Sequence, residues 1–422
     1  MKIAIIALGS RGDVQPYLAL SKGLHVAGHT VRLVTHESYE AQTQAHGVPF
    51  WPVAGDVQGV IQSPEMRELL ARGNMIAINK HTAKHIQRVV LDWQRDGLAA
   101  CQGMDLLLAG LGGRYLGLAV GQKLSLPLIE AHVFPFTPTA LFPAPLFPKW
   151  VGKLGGAATR LTYHLMRQIM WQSVRKADNM ARSQVLALRH APFTGPRTPP
   201  TSPQQPLLYG FSPAVIPKPA DWGADTHVTG YWYLDTPEDW QPPADLVRFL
   251  QAGPPPVYIG FGSMASRNVA ETTALLTDVI LRNGQRAVLS LDWEEMESLN
   301  LPDTIYPLKS APHDWLFKQV TAVVHHGGAG TTAAGLRAGV PTFIVPFFGD
   351  QMFWGERLWS LGVSPRPCAR KKLTPTILAE ALQMMQTDEG MRQRAARVGA
   401  QIEAEDGVAQ AVALLEKSFV PR

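Results

Sequence analysis

Short apolar runs recur along this chain, and each passes through a turn into a helix-favouring stretch. The first, Lys2 to Leu8, lacks the polar alternation of a half-exposed strand, so it reads as a strand buried on both faces of a parallel sheet. It leads through Gly9-Ser10-Arg11-Gly12-Asp13 into a predicted helix, with Pro16 near its first turn and Gly28 as its C-terminal stop. Val31 to Thr35, Leu106 to Ala109 and Leu128 to Ala131 read as further strands, with helices over Glu37 to His46 and near Tyr115 to Lys123. The alternation stops in a long helical stretch, Ala157 to Ala191, and a Pro-rich connector, Pro192 to Pro206. It restarts with strands at Val257 to Gly260, Ala287 to Leu291, Ile305 to Leu308, Ala322 to His325 and Thr342 to Pro346, and a helix running to Leu281. Strands that alternate with helices pair in parallel and carry helices on both faces. The expected fold class is therefore α/β, with two doubly wound domains divided around Tyr231 to Pro243 and a final helix over Glu403 to Lys417.

Composition excludes several classes. The 46% hydrophobic and 17% charged fractions over 422 residues suit a folded globular chain with ample core. A net charge of +5 without a Lys/Arg block argues against nucleic acid as a partner. Two cysteines, Cys101 and Cys368, cannot build a disulfide framework and suit a reducing compartment. The run Ile3 to Leu8 meets Arg11 and Asp13 too soon for a signal peptide, and no run has transmembrane length. A cytoplasmic address, peripheral at the inner membrane face, is the expectation.

Two segments carry chemistry. In Val323 to Gln351, two histidines end an apolar run and Gly327, Gly328 and Gly330 bring Thr331 and Thr332 into an Ala-rich helix. Glycine lets backbone amides approach a ligand, and a helix N-terminus offers free N–H groups and partial positive charge to an anion. One βα unit later, Asp350 and Gln351 supply a carboxylate and an amide able to hydrogen-bond hydroxyls. A diphosphate cradle beside hydroxyl-binding groups points to a nucleotide sugar. The second segment, Phe134 to Trp150, is dense in prolines and aromatic residues, which leaves no room for a regular element. It is either a packed surface loop or an apolar wall around a hydrophobic ligand.

GSRGDVQPYLAL at the start, HVTGYW, PHDWLF and HHGGAGTTAAGLRAGVP with PFFGDQ closely resemble bacterial and fungal sterol 3-beta-glucosyltransferases. Those are family 1, UDP-sugar-dependent glycosyltransferases; the GSRGD start is also similar to glycosyltransferases of vancomycin-type antibiotics. The resemblance implies a GT-B fold of two facing Rossmann-like domains with a cleft between them. It implies an acceptor-binding domain over 1–232, a linker over 233–243, a nucleotide-sugar-binding domain over 244–402, and a helix in 403–422 that crosses back. It further implies glucose transfer from UDP-glucose, a co-substrate rather than a cofactor, to a small hydrophobic alcohol such as a sterol. Flavonoid, triterpenoid and antibiotic aglycones are alternative acceptors. Weak peripheral membrane contact at most is expected.

Asp13 is either a cap for the first helix or, by resemblance, the catalytic general base where plant relatives place a histidine. Asp350 and Gln351 are a helix cap and a surface residue, or the clamp on the donor sugar. His325 is a satisfied core histidine, or the family's diphosphate ligand with Gly327, Gly328, Gly330 and Thr331. The resemblance adds Ser263 on the same diphosphate and Ser10 and Arg11 approaching it across the cleft. Ala311 and His313 fall where plant relatives hold uracil and ribose, although Ser310 replaces their tryptophan. Phe134, Phe136, Phe142 and Phe147 are the candidate acceptor wall. No Asp-x-Asp triplet occurs, so no metal is expected. A single base opposite the leaving group implies inversion. A nicotinamide dehydrogenase would need Gly-x-Gly-x-x-Gly after the first strand, a pattern that GSRGDV lacks. A nucleotide-sugar epimerase and a non-catalytic sugar-nucleotide or lipid-binding protein remain the rivals from other classes.

Overall fold

A computed structural model describes residues 1–55, 75–196, 205–237, 239–261, 269–291 and 299–419, with a few positions between 59 and 69. The chain divides into two compact units, one holding Met1–Ser63, Ile76–Leu234 and Glu405–Arg422, the other built on Asp235–Ala404.

The first unit is a 7-stranded parallel sheet in the order β3-β2-β1-β4-β5-β6-β7. Its strands are β1 (Lys2–Ile6), β2 (Thr30–His36), β3 (Phe50–Val53), β4 (Leu106–Ala109), β5 (Leu128–His132), β6 (Leu207–Tyr209) and β7 (Thr226–Val228). Successive side chains point to opposite faces, and both faces of β1 are buried. Ile3, Ile5 and Ala7 join the helices α1 (Arg11–Val26) and α13 (Gly407–Phe419) on one side. Ala4, Ile6 and Leu8 meet α3 (Met75–Cys101) and α4 (Arg114–Leu124) on the other. The final helix thus packs in the first unit, with Val412 and Leu415 in the core and Val408 pressed against Gly23. Between β2 and β3 lies the short α2 (Glu40–Ala45), preceded by a tight turn, Glu37–Tyr39. The sequence expectation of one helix from Glu37 to His46 covers both.

The helix α3 and the short strands β3, β6 and β7 escaped the sequence reading. Pro16 sits one turn deeper in α1 than expected, because the helix starts at Arg11. Gly28 follows the helix end at φ +86°, the left-handed conformation in which glycine carries no Cβ penalty.

The Pro-rich segment forms no helix or strand until a short turn at Lys149–Leu154, after which α5 (Gly156–Gln184) begins. Side chains replace the missing backbone ladder. The Tyr209 hydroxyl accepts from the amides of Phe136 (3.1 Å) and Thr137 (2.7 Å). The Asp221 carboxylate accepts from the Thr139 hydroxyl and the Ala140 amide. Buried backbone groups need partners, and these bonds fix the loop's path.

The second unit is a 5-stranded parallel sheet, β10-β9-β8-β11-β12. Its elements in chain order are α6 (Ala244–Gln251), β8 (Val257–Gly260), α7 (Val269–Arg282), β9 (Ala287–Ser290), β10 (Ile305–Pro307), α8 (His313–Leu316), β11 (Ala322–His325), α9 (Ala329–Arg337), β12 (Thr342–Ile344) and α10 (Gln351–Leu361). Helices α11 (Pro375–Thr387) and α12 (Glu389–Glu403) complete it. Val257, Ile259 and Phe261 face α7 and α11, while Tyr258, Val288 and Val323 face α6 and α8. In both units the strand order reverses beside the first strand of the sheet, between β1 and β4 and between β8 and β11. At such a switch point the connections leave in opposite directions and open a crevice at the carboxyl ends of the strands.

Candidate functional site

The crevice of the first unit is lined by the residues after β1 (Ala7, Leu8), the turn Gly110-Leu111-Gly112-Gly113 after β4, His132, Val133 and Phe134 at the end of β5, and Asp13 and Tyr17 of α1. They enclose about 280 Å³ of empty space, part of it open solvent. The glycines of the turn are sterically required: a Cβ at Gly112 would lie 1.8 Å from the Leu8 carbonyl oxygen, and one at Gly110 1.8 Å from the Tyr17 hydroxyl.

Asp13 is placed by the turn before it. Ser10, the N-cap of α1, donates its amide (2.9 Å) and its hydroxyl (2.7 Å) to Asp13 Oδ2. Gly9 has φ +136°, and a Cβ there would lie 2.6 Å from the same oxygen, so only glycine admits the carboxylate. Asp13 therefore does serve the helix start, from its third position, yet it also lines the cavity. Burial raises its pKa above the usual carboxylate value, outweighing the two Ser10 hydrogen bonds that pull it down. Such an aspartate is a better base than an exposed one. Tyr17 donates to the Ala131 carbonyl (2.6 Å), and burial, with the Asp13 charge, pushes its phenol up, so it stays protonated. Ser10 spends its hydroxyl on Asp13, and Arg11 is exposed with its Nε on Gln15.

Of the apolar candidates, Phe134 lines the cavity and meets Phe136 edge-on. Phe136 is fully buried behind it, under the guanidinium of Arg167. Phe142 and Phe147 are half-buried; the exposed members of the segment are Leu141, Leu146 and Trp150. Leu154 is also exposed, as are Leu161, Leu165 and Ile169 on one side of α5.

In the second unit the crevice lies at the ends of β8 and β11. His325 is fully buried, and its Nδ1 accepts from the Gly327 amide (3.0 Å), which puts its proton on Nε2. Nε2 has no partner among the described residues. Burial, then the neighbouring His326 and His313, holds His325 well below the usual histidine range, so it is a neutral donor. His326 is pushed down to about 4 by burial. Gly327 (φ +95°) makes the turn, where a Cβ would strike Ile344 at 2.6 Å, and Gly328 is the N-cap of α9. The amides of Ala329, Gly330 and Thr331 open the helix without intrahelical partners. Open space lies where a Gly330 side chain would be, and the buried Thr332 hydroxyl is unpartnered among the described residues. The arrangement is that of a phosphate-binding helix start.

Gln351 is buried, and its carbonyl accepts from the amides of Phe347 (2.7 Å) and Phe348 (3.1 Å), which leaves its NH₂ as the group it can offer. Asp350 is the N-cap residue of α10 by position, but its carboxylate makes no cap bond and accepts from the Trp354 indole (2.9 Å) instead; the buried Gln351 is not an ordinary surface residue. Ala311 is half-buried in the loop before α8, and the His313 ring stacks on Phe317 at 4.5 Å. Ser263 lies outside the described residues. Among those residues no cluster of His, Cys, Asp or Glu is placed to hold a metal ion. Likewise no helix is long and apolar enough to cross a membrane.

Sequence reasoning missed Tyr17, His132 and the Gly110–Gly113 turn. A glycine cluster between a predicted strand and a predicted helix was the available signal for the turn.

Residues 3–143 match the glycosyltransferase family 28 N-terminal domain, and residues 275–416 match the C-terminal domain of erythromycin biosynthesis protein CIII-like proteins. The sterol 3-beta-glucosyltransferase of Emericella nidulans is 36% identical over 98% of this chain, and that of Cryptococcus neoformans 35% over 98%. The chain spans 29% of the length of the first of these curated relatives. Among solved structures, the glycotransferase of kitacinnamycin superposes with a TM-score of 0.67 at 18% identity over 99% of both chains. The spinosyn rhamnosyltransferase complexed with thymidine diphosphate gives 0.62 at 18% over 99% of this chain and 100% of the other. The chain has the fold of the GT-B glycosyltransferases, and its two halves match domain models of glycosyltransferase and antibiotic-biosynthesis families.

The half-buried Asp13, with its raised pKa, predicts a pH-dependent stability. Between the ordinary carboxylate range and its raised native value, the folded chain keeps a proton that the unfolded chain has released. Stability therefore falls as pH rises through that window. Asp13→Asn removes this loss, so the variant should melt higher than the wild type at neutral pH, and the difference should close in acid. Calorimetry across pH measures it; a variant that melts lower at neutral pH contradicts a net cost of burying the charge.

Proposed function

We infer that this chain moves glucose from UDP-glucose to a hydroxyl of a hydrophobic alcohol, with a sterol as the first acceptor class. The observation that carries the reading is the basic, half-buried Asp13 carboxylate in an apolar crevice of the first unit. The phosphate-binding helix start of the second unit supplies the complementary half. The names of the curated relatives support glucose and sterol.

In this reading the acceptor hydroxyl gives its proton to Asp13 while its oxygen bonds to the anomeric carbon. The bond from that carbon to the diphosphate oxygen breaks on the opposite side, which inverts the centre and turns an α-linked donor into a β-glucoside. UDP leaves with the electron pair. The N-terminal amides of α9 and the Nε2–H of His325 stabilise its charge through fixed dipoles. Gln351 and Asp350 hold sugar hydroxyls, with Gln351 donating, since its carbonyl is already engaged. Ser263, Ala311 and His313 belong to the donor site, and Ser10 acts through Asp13. The first unit is the acceptor domain. Its crevice takes only the hydroxyl-bearing end of a larger apolar molecule, with Phe134 as wall. The thymidine diphosphate complex of a structural neighbour makes dTDP-sugars the second donor class.

The exposed Leu141, Leu146, Trp150 and Leu154, interleaved with Lys149 and Lys153, suit shallow, reversible contact with an anionic membrane that holds such acceptors.

Incubation with UDP-glucose or dTDP-glucose and a panel of sterols and flat phenols, read by mass spectrometry, should give a hexosyl adduct with UDP-glucose; hydrolysis alone, or no reaction with any pair, refutes the transfer reading. Asp13→Asn should lower turnover by ~10²–10⁴ with UDP affinity unchanged, and near-wild-type turnover would leave Asp13 a helix cap only. For the donor site, Asp350→Ala or Gln351→Ala should weaken UDP-glucose more than UDP, whereas His325→Ala should weaken both; equal losses in all three would sink the sugar clamp. Flotation with vesicles containing an anionic lipid should carry the wild type, and Trp150→Ala with Leu154→Ala should reduce it. A wild type that never floats removes the membrane from the account.

A further inference from the structure

Beside Asp13, the crevice of the first unit contains a second basic atom. His132, the last residue of β5, is fully buried and lines the cavity. Its Nε2 lies 3.1 Å from Glu130 Oε2, on the same face of the strand two residues earlier. Arg114, the first residue of α4, grips the same carboxylate with two bonds, at 2.9 and 3.0 Å. Burial opposes the charge on Glu130. The His132 bond and the Arg114 guanidinium outweigh it and hold Glu130 well below the usual carboxylate range. A permanent carboxylate can only accept, so Nε2 carries the imidazole proton and Nδ1 keeps a lone pair. Burial, the largest effect, lowers the pKa of His132 despite the carboxylate, so the ring is neutral. Nδ1 has no hydrogen-bond partner among the described residues, and the ring is fixed between Phe136 (4.8 Å between centroids) and Tyr209 (6.0 Å).

An acceptor buried without a donor is costly, and here the missing donor has a place in the cavity. We propose that His132 is a specificity-determining residue: in the complex without donor sugar the hydroxyl of the bound alcohol donates its single proton to His132 Nδ1, and it turns to the neighbouring Asp13 only for transfer. Glu130 and Arg114 are the positioning residues that set its tautomer. The inference rests on the reading of this crevice as an acceptor site. It deepens that reading: the site selects a hydrogen-bond donor, so an alcohol is held and the corresponding ketone, which can only accept, is rejected.

Cholesterol and its ketone cholestenone serve as probes of binding to the full chain without a donor sugar, so the readout does not depend on turnover. The wild type should bind the alcohol about tenfold or more tighter than the ketone, the order of discrimination expected when a buried acceptor is left unpaired. His132→Phe keeps the ring between Phe136 and Tyr209 and should lose most of that ratio, with UDP affinity unchanged. In nitrogen-15 histidine spectra of the wild type, one unprotonated Nδ1 signal should move on adding cholesterol and stay on adding cholestenone. The second measurement decides the matter if the variant does not fold. Equal affinity of the wild type for the two sterols, no binding of either, or an unmoved Nδ1 signal overturns the assignment. Discrimination that survives in a folded His132→Phe does the same. Discrimination by a wild type that transfers no sugar would keep His132 and refute the transferase reading instead.

Discussion

Burial of both faces of a parallel sheet is the constraint on which the rest depends. In each unit the strands carry apolar residues to both sides, and helices cover both. No polar group can work on those faces, so chemistry is displaced to the carboxyl ends of the strands. The reversal of strand order there opens space for it. Asp13 and His132 stand at that edge in the first unit, and His325 and the start of α9 stand at it in the second.

The two edges use different physics. In the second unit the groups at that edge are mostly backbone, which is why the sequence there is glycine: Gly327 turns, Gly328 caps and Gly330 leaves room. Backbone amides recognise charge through a fixed array of donors. In the first unit the groups are side chains, and each is tuned by another that never reaches the cavity. Ser10 holds Asp13, and Glu130 with Arg114 sets the tautomer of His132. One crevice can thereby hold a carboxylate of raised basicity and a neutral imidazole, because burial and local bonding act on each separately.

The segment from Phe134 to Trp150 follows a third rule. Proline removes the amides that a regular element would use, and side chains from distant strands and loops, Tyr209 and Asp221, supply the bonds instead. The loop is then rigid enough to bury Phe136 while it exposes Leu141, Leu146 and Trp150.

Local pattern was enough wherever the determinant is local. The apolar runs specified most strands, the glycines before Thr331 specified the helix start at α9, and the first turn specified the setting of Asp13, because each depends on neighbours within a few residues. The long helix α3 and the short β6 and β7 were not legible, since a strand of three residues takes its identity from the strands it pairs with. Nor could the sequence distinguish the buried Phe136 from the cavity-lining Phe134, because burial is decided by what arrives from elsewhere: Arg167, Tyr209 and the end of β5. The sequence by itself determined a pair of parallel α/β units, a glycine turn into a helix start and an acidic residue after the first strand. Only the tertiary structure decided that Asp13 is buried enough to be basic and that Glu130 leaves the His132 Nδ1 lone pair free. Solvation and hydrogen bonding set those states, and both depend on residues far apart in the chain.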